Sequence, residues 1–167
     1  MTRILLLSDT HSHVDDAILK YAKQADEIWH AGDIGDLKVT DRLGEIRPLR
    51  AVYGNIDDHG IRKEFPENNR FYCEGVEVLM THIGGYPPKY NRRTREEIKT
   101  NPPQLFICGH SHILKVINDK HLGVLHMNPG ACGKHGFHQV RTMLRFVIDK
   151  KNIRDLEVIE LGKRSSL

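Results

Sequence analysis

Ile4-Leu5-Leu6-Leu7-Ser8-Asp9-Thr10-His11 sets a short, unbroken apolar run directly against a polar cluster, and the same juncture recurs twice further along the chain. Glu27-Ile28-Trp29-His30-Ala31 leads into Gly32-Asp33-Ile34-Gly35-Asp36, and Leu49-Arg50-Ala51-Val52-Tyr53 leads into Gly54-Asn55-Ile56-Asp57. Apolar runs this short read as buried strands. Between the first two, Val14 to Gln24 repeats Val14, Ala17, Ile18, Tyr21 and Ala22 at helical spacing, with Asp15 and Asp16 in a first turn that suits the helix dipole. Leu37 to Ile46 is a second, weaker helical stretch. The alternation is βαβαβ, a parallel sheet with crossover helices.

The second half changes character. Phe71 to Met80 reads as a hairpin turning near Glu74-Gly75, and it runs on into Thr81-His82. Gly84-Gly85-Tyr86-Pro87-Pro88 is a loop. Arg92 to Lys99 is a short helix stopped by Asn101-Pro102-Pro103. Leu105 to Cys108 is another buried strand and delivers Gly109-His110-Ser111-His112. Leu114 to Ile117, Val124 to Met127, Thr142 to Ile148 and Leu156 to Leu161 are strand-like, with a turn at Lys150-Lys151-Asn152 before the last. The whole is a mixed sheet or a two-sheet sandwich with helices outside.

At 167 residues the chain has the size of one ordinary domain, expected to span 1–167. No apolar run approaches the roughly 18 residues of a membrane span. The apolar start is too short for a secretory signal, so a cytoplasmic protein is expected. Cys73, Cys108 and Cys132 are odd in number and form no Cys-x-x-Cys pair, which fits free thiols in a reducing compartment. A net charge of +3 permits attraction to anions without demanding nucleic acid. Arg92-Arg93-Thr94-Arg95 and Lys163-Arg164 are short clusters with acidic neighbours, weak as nucleic-acid footprints. The 11 histidines are more telling, because imidazole is the commonest protein metal ligand.

Five apolar strands thus end in loops carrying Asp, Asn or His. Ligands of α/β sheets bind at the carboxyl ends of strands, so such loops converge although their residues are remote in sequence. The candidates are Asp9, His11, Asp33, Asn55, His82, His110 and His112. With no cysteine among them, the mixed oxygen and nitrogen set suits Mn²⁺, Fe, Zn²⁺, Ni²⁺ or Co²⁺. Seven ligands exceed what one tetrahedral ion accepts and match two divalent ions that share a carboxylate. Taken singly, each of these residues is as well explained by capping or loop hydrogen bonding.

Asp9-Thr10-His11, Gly32-Asp33, Gly54-Asn55, Thr81-His82 and Gly109-His110-Ser111-His112 follow the order and approximate spacing of the calcineurin-like metallophosphoesterase superfamily. With Asn128-Pro129-Gly130, the short chain resembles its small bacterial and archaeal phosphodiesterase branch. The resemblance covers residues 3 to about 148. It implies an αββα sandwich of two mixed β-sheets flanked by helices. It also implies that Asp9, His11 and His112 hold the first ion, that Asp33 bridges, and that Asn55, His82 and His110 complete the second. The implied activity is dinuclear-metal-dependent hydrolysis of a small phosphate ester or nucleotide, a phosphodiester in preference to a monoester. A hydroxide shared by the ions, manganese foremost, is the implied nucleophile, with Asp33 and Asn55 catalytic as well as ligating. Relatives of this size assemble as dimers or tetramers.

The pattern departs from the family in two places. Larger relatives carry a histidine directly after the motif asparagine, where it protonates the leaving group; here that residue is Ile56. Asp57, His59 or a metal-bound water are the candidates left for that role. Many small relatives show His-Gly-His around the second-metal histidine, where this chain has His82-Ile83-Gly84 and lacks the later histidine. The loop Gly85 to Arg93 that follows is distinctive and is expected to shape the substrate mouth, with Tyr86 or Tyr90 stacking and Arg92 or Arg93 meeting phosphate. Asp36 reads as a helix cap, His30 as a buried supporting residue, and His135 as a loop residue able to approach the site. Two alternatives stay open on the same fold: a non-catalytic protein-interaction scaffold, and a nuclease.

Overall fold

The computed structural model describes residues 1–165, and its apolar runs are strands. The first half runs β1 (Thr2–Leu7), α1 (Asp16–Gln24), β2 (Glu27–His30), α2 (Leu37–Ile46), β3 (Leu49–Ala51) and α3 (His59–Glu64). The second runs β4 (Asn68–Cys73), β5 (Val76–Thr81), β6 (Gly85–Tyr86), β7 (Lys89–Tyr90), α4 (Arg92–Thr100), β8 (Leu105–Ile107), β9 (Leu114–Asp119), β10 (Val124–Pro129), β11 (Val140–Asp149) and β12 (Asn152–Lys163). Two five-stranded sheets result, ordered β12-β11-β1-β2-β3 and β4-β5-β8-β10-β9. In the first, β1, β2 and β3 are parallel and β11 returns antiparallel to β1. In the second, β5, β8 and β10 are parallel, with β4 and β9 antiparallel at the edges.

Side-chain alternation explains the layering. Ile4 and Leu6 point between the sheets, where they join Trp29, Val78, Met80, Ile107, Met127, Leu144 and Phe146. Leu5 and Leu7 point outward, against Ile18 and Ala22 of α1, Val39 and Leu43 of α2 and Ile61 of α3. On the far side, Leu79 and Phe106 pack under Ile98 of α4. Strands covered on both faces read as continuous apolar runs, and that is how these appear in the sequence. The architecture is the expected αββα sandwich of two mixed sheets. Trp29 anchors its centre, edge-on to Phe71 and Phe146 at 5.0 and 5.8 Å, and its indole N–H donates to Glu27.

Some boundaries differ from the sequence expectation. Asp15 is the N-cap of α1 and accepts from the Ile18 amide, so the helix starts after Val14, not at it. Asp36 caps α2 by accepting from the Lys38 amide, as its position suggests. The loop beginning at Gly84 contains the two-residue pairing of β6 with β7. Helix α3 is an element that periodicity does not reveal. Among the described residues, no helix is long and apolar enough to cross a membrane.

Candidate metal centre

The loops after β1, β2, β3, β5 and β8 meet at one edge of the sandwich, laced by backbone hydrogen bonds. Asp9 N–H donates to the Gly32 carbonyl (2.9 Å), His11 N–H to Asp33 (3.1 Å) and Ser12 N–H to Ile34 (2.8 Å). Gly109 N–H donates to His82, and Gly133 N–H donates to Asp9. These contacts hold a backbone that would not form unaided. Asp9, His11, Asp33, His110 and His112 all lie at positive φ, between 44° and 73°. A non-glycine residue there costs of order 1 kcal/mol or more, and such strain persists only where the surroundings over-determine it.

The strained turns aim side chains inward in two groups. Asp9, His11 and His112 present one ligand atom each within 4.8 Å of one another, and so do Asp33, His82 and His110. Asp33 faces both groups: its Oδ2 is 3.5 Å from His11 Nε2, and its Oδ1 is 3.2 Å from His82 Nε2. Asp9 Oδ1 lies 3.2 Å from His112 Nε2. Asn55 Oδ1 accepts from His110 Nδ1 at 2.9 Å, which puts it beside the second group.

Three of these ligand atoms are buried without any hydrogen-bond partner among the described residues: Asp9 Oδ1, His11 Nε2 and His82 Nε2. Leaving such an atom unpaired costs about 1–3 kcal/mol. A divalent cation in each group would satisfy them, so the residues fit metal by chemistry as well as by type. The supporting contacts agree. His82 Nδ1 donates to the Ala31 carbonyl at 2.7 Å, which leaves the Nε2 lone pair pointing at the carboxylates. Asp9 Oδ2 accepts from Ser8 Oγ (2.6 Å) and from the His110 amide (3.2 Å), fixing the plane in which Oδ1 is presented. His30 accepts the Gly32 N–H on Nδ1 and meets Thr10 Oγ1 through Nε2. Burial drives its pKa down to about 4, so it is a neutral prop, as its place before Gly32-Asp33 suggests.

The electrostatics favour positive charge between the carboxylates. Burial pulls the His82 imidazole down, yet Asp33 and Asp9 outweigh it and raise its pKa above the usual value. Asp33 is held below the usual carboxylate range although burial opposes this, because His82, the Ile56 amide and His11 favour its anion. For His11, burial wins and the imidazole is lowered. Two glycines make room. A Cβ on Gly54 would fall on the Asp33 carboxylate and its backbone nitrogen, so close approach, and not a turn, requires glycine there. Gly32, at φ 102°, serves the turn, and a Cβ on it would meet His82.

The remaining sequence candidates separate. His59 is exposed at the start of α3. Asp57 accepts three amides, from Ile34, Gly35 and Gly54, and so ties the Asp33 loop to the Asn55 loop, with both carboxylate oxygens turned into the backbone. Tyr86 is half-buried, with its hydroxyl on Ser111 between the two loop histidines. Tyr90 is buried and donates to Asp119, so it offers no stacking face to a substrate. Arg92 is exposed at the first turn of α4, whereas Arg93 lines a cleft with Asn55 and His82. The His135 ring lies 4.8 Å from that of His11. Asn128 donates to the Gly109 carbonyl and so buttresses the histidine loop. Sequence reasoning passed over Ser8, whose only signal is its place directly before Asp9, and Arg62, which carries none.

Comparison with known proteins gives the family and the fold. A probable metallophosphoesterase of Methanothermobacter thermautotrophicus is 28% identical over 134 residues, covering 75% of this chain and 74% of that protein. Among solved structures, a novel archaeal phosphodiesterase superposes with a TM-score of 0.68 at 20% identity, covering 95% of this chain and 99% of the other. Vps29 of Entamoeba histolytica, complexed with Zn²⁺, gives 0.74 at 14% identity over 98% and 99%. At those identities the likeness is one of fold. Residues 2–151 match the calcineurin-like phosphoesterase superfamily domain, and the chain belongs to that metal-dependent family.

Proposed function

We propose that this chain hydrolyses phosphate esters, diesters in preference to monoesters, with two divalent ions. Asp9, His11 and His112 hold one ion, Asn55, His82 and His110 hold the other, and Asp33 joins both. The observation that carries this reading is the convergence of two buried imidazole nitrogens and a buried Asp9 oxygen, all without a hydrogen-bond partner among the described residues, around Asp33. When bound, such ions polarise phosphoryl oxygens and make water acidic enough to attack near neutral pH.

The chain's own residues do the rest. The strained loops fix the ligand positions before substrate arrives, so little reorganisation is left to the reaction. Ser8 and Ala31 orient Asp9 and His82. Ile56 stands where larger relatives carry the proton donor, and Asp57 is committed to amides, so esters whose alcohol leaves readily are the better substrates. Room for the second alcohol of a diester lies in the cleft beside Asn55 and His82. The three buried free cysteines suit a reducing cytoplasm.

The test is release of 4-nitrophenolate from bis(4-nitrophenyl) phosphate and from 4-nitrophenyl phosphate with Mn²⁺, Zn²⁺, Ni²⁺, Co²⁺ or Fe²⁺, before and after chelation. Turnover of the diester that chelator removes is expected, with Asp33→Ala and His82→Ala inactive but folded. No turnover of either ester with any of these metals overturns the proposal. The fold likeness to Vps29 favours one other reading, a protein-interaction scaffold. Tight metal binding by calorimetry without hydrolysis would select it.

A further inference from the structure

Beside the second group of ligands a cleft of about 310 Å³ opens, lined by Tyr53, Asn55, Arg62, Glu67, His82 and Arg93 among others. Of its two arginines, Arg62 hangs on backbone carbonyls of the Asn55 loop and Arg93 on the residue before His82. Arg62 donates from Nε to the Asp57 carbonyl (2.8 Å) and from Nη2 to the carbonyl of Asn55 (3.4 Å), and its guanidinium stacks 4.6 Å over the Tyr53 ring. Arg93 donates from Nη2 to the Thr81 hydroxyl at 3.4 Å, one residue before His82. A guanidinium held flat by carbonyls and an aromatic face is pre-organised for a planar or tetrahedral oxyanion.

We propose that this cleft is a subsite for a second, non-reacting phosphate group, so that the preferred substrate is a phosphodiester carrying a further phosphate on one of its alcohol arms. The inference rests on the phosphoesterase reading above and adds substrate class to it. Two cations face one anion, Glu67, which pairs with Arg93 at 3.3 Å. That pair is half exposed, and exposed pairs are weak enough for a phosphate to displace. The Asp57 carboxylate is turned into the loop by its three amides, and that of Asp33 faces the ligand histidines. The cleft volume lies at the lower end of the range for small-molecule pockets, enough for a sugar and a phosphate.

The experiment compares thymidine 5′-(4-nitrophenyl phosphate) with the same diester bearing a 3′-phosphate, read as nitrophenolate release with the activating metal. The phosphorylated diester is expected to show a KM roughly tenfold lower or better, a step of the size expected for charge-assisted hydrogen bonds. Arg93→Gln and Arg62→Gln should each pull the ratio of kcat/KM between the two esters toward 1. Glu67→Gln, which needs no buried contact removed, should raise the ratio. A wild-type ratio near 1, or a ratio that none of the three changes moves, overturns the subsite while leaving the phosphoesterase reading intact. Failure to hydrolyse either diester with any metal removes both.

Discussion

Asp9→Asn should make the metal-free protein more stable. Asp9 Oδ1 is buried, unpartnered and 3.2 Å from His112 Nε2, while Oδ2 is held by Ser8 and the His110 amide. An asparagine keeps the oxygen where Ser8 and His110 need an acceptor and puts an N–H₂ where the orphaned oxygen was. That amide donates to His112 Nε2. One unsatisfied atom is worth about 1–3 kcal/mol, and a domain of this size shifts its melting temperature by roughly 2–4 °C per kcal/mol, so a rise of about 2–12 °C is expected in chelator. With Mn²⁺ at a hundred times its dissociation constant, the wild type gains about 2.7 kcal/mol, or roughly 5–11 °C. The variant, stripped of the carboxylate proposed to hold the first ion, should gain less, and the gap between the two closes or reverses. Differential scanning fluorimetry with and without metal reads both effects. If the variant melts lower than the wild type in chelator, Asp9 stabilises the apo fold and the orphaned atom has been misread. If both proteins gain equally from Mn²⁺, Asp9 holds no ion.

Gly54→Ala places a methyl group on the Asp33 carboxylate, so hydrolysis should fall by about a hundredfold or more while far-UV circular dichroism stays unchanged. His126 is fully buried against Tyr86, Tyr90 and Phe106, and neither ring nitrogen has a hydrogen-bond partner among the described residues. Burial, then Lys115, drives its pKa to about 4, with Asp119 opposing. The unfolded chain therefore binds a proton near pH 6.5 that the folded chain refuses, and about 3 kcal/mol of stability is lost as pH falls from 6.5 toward 4. Urea titrations of His126→Phe should show a shallower loss over that window, His30 keeping its own share; an unchanged slope refutes the assignment. Tyr90→Phe removes the bond to Asp119 and should lower the melting temperature by several degrees while leaving KM for a diester unchanged, because Tyr90 props the sheet and touches no substrate.

The parts of the fold legible in the sequence are those where burial is two-sided. Ile4 to Leu7 and Leu105 to Ile107 are covered on both faces, so every residue is apolar and no alternation competes with the strand reading. Helix α3 offers none of this. His59–Glu64 contains one buried residue, Ile61, and includes Gly60, so six residues leave no periodic trace. Its one signal is Asp58, which caps it by accepting the Ile61 amide. Pairing of Gly85–Tyr86 with Lys89–Tyr90 is likewise too short to leave a pattern. The site was legible as a roster of residue types at strand ends. Its orientation was not, because that depends on atoms the sequence does not mark: the Ala31 carbonyl on His82, the Ser8 hydroxyl on Asp9, and the turning of Asp57 into three amides.

Loop strain and orphaned atoms are two expressions of one cost. Positive φ at Asp9 and Asp33, and at three of the four candidate histidines, works against folding, as does an imidazole nitrogen buried beside a carboxylate with no hydrogen-bond partner among the described residues. A fold selected for stability alone would relieve both cheaply, with glycine at the turns and amides in place of the carboxylates. It would then have no concentrated negative potential and no fixed lone pairs. The backbone lacing from Asp9 to Gly32 and from Gly109 to His82, with the buried cores on both sides of β1, supplies the rigidity that keeps these costs from being relaxed away. The energy withheld from the apo state is returned when a cation enters, so affinity for the ion and instability without it arise from the same atoms. Each change that stabilises the metal-free protein at this edge should therefore weaken ion binding by a comparable amount, and a variant that improved both would break the link.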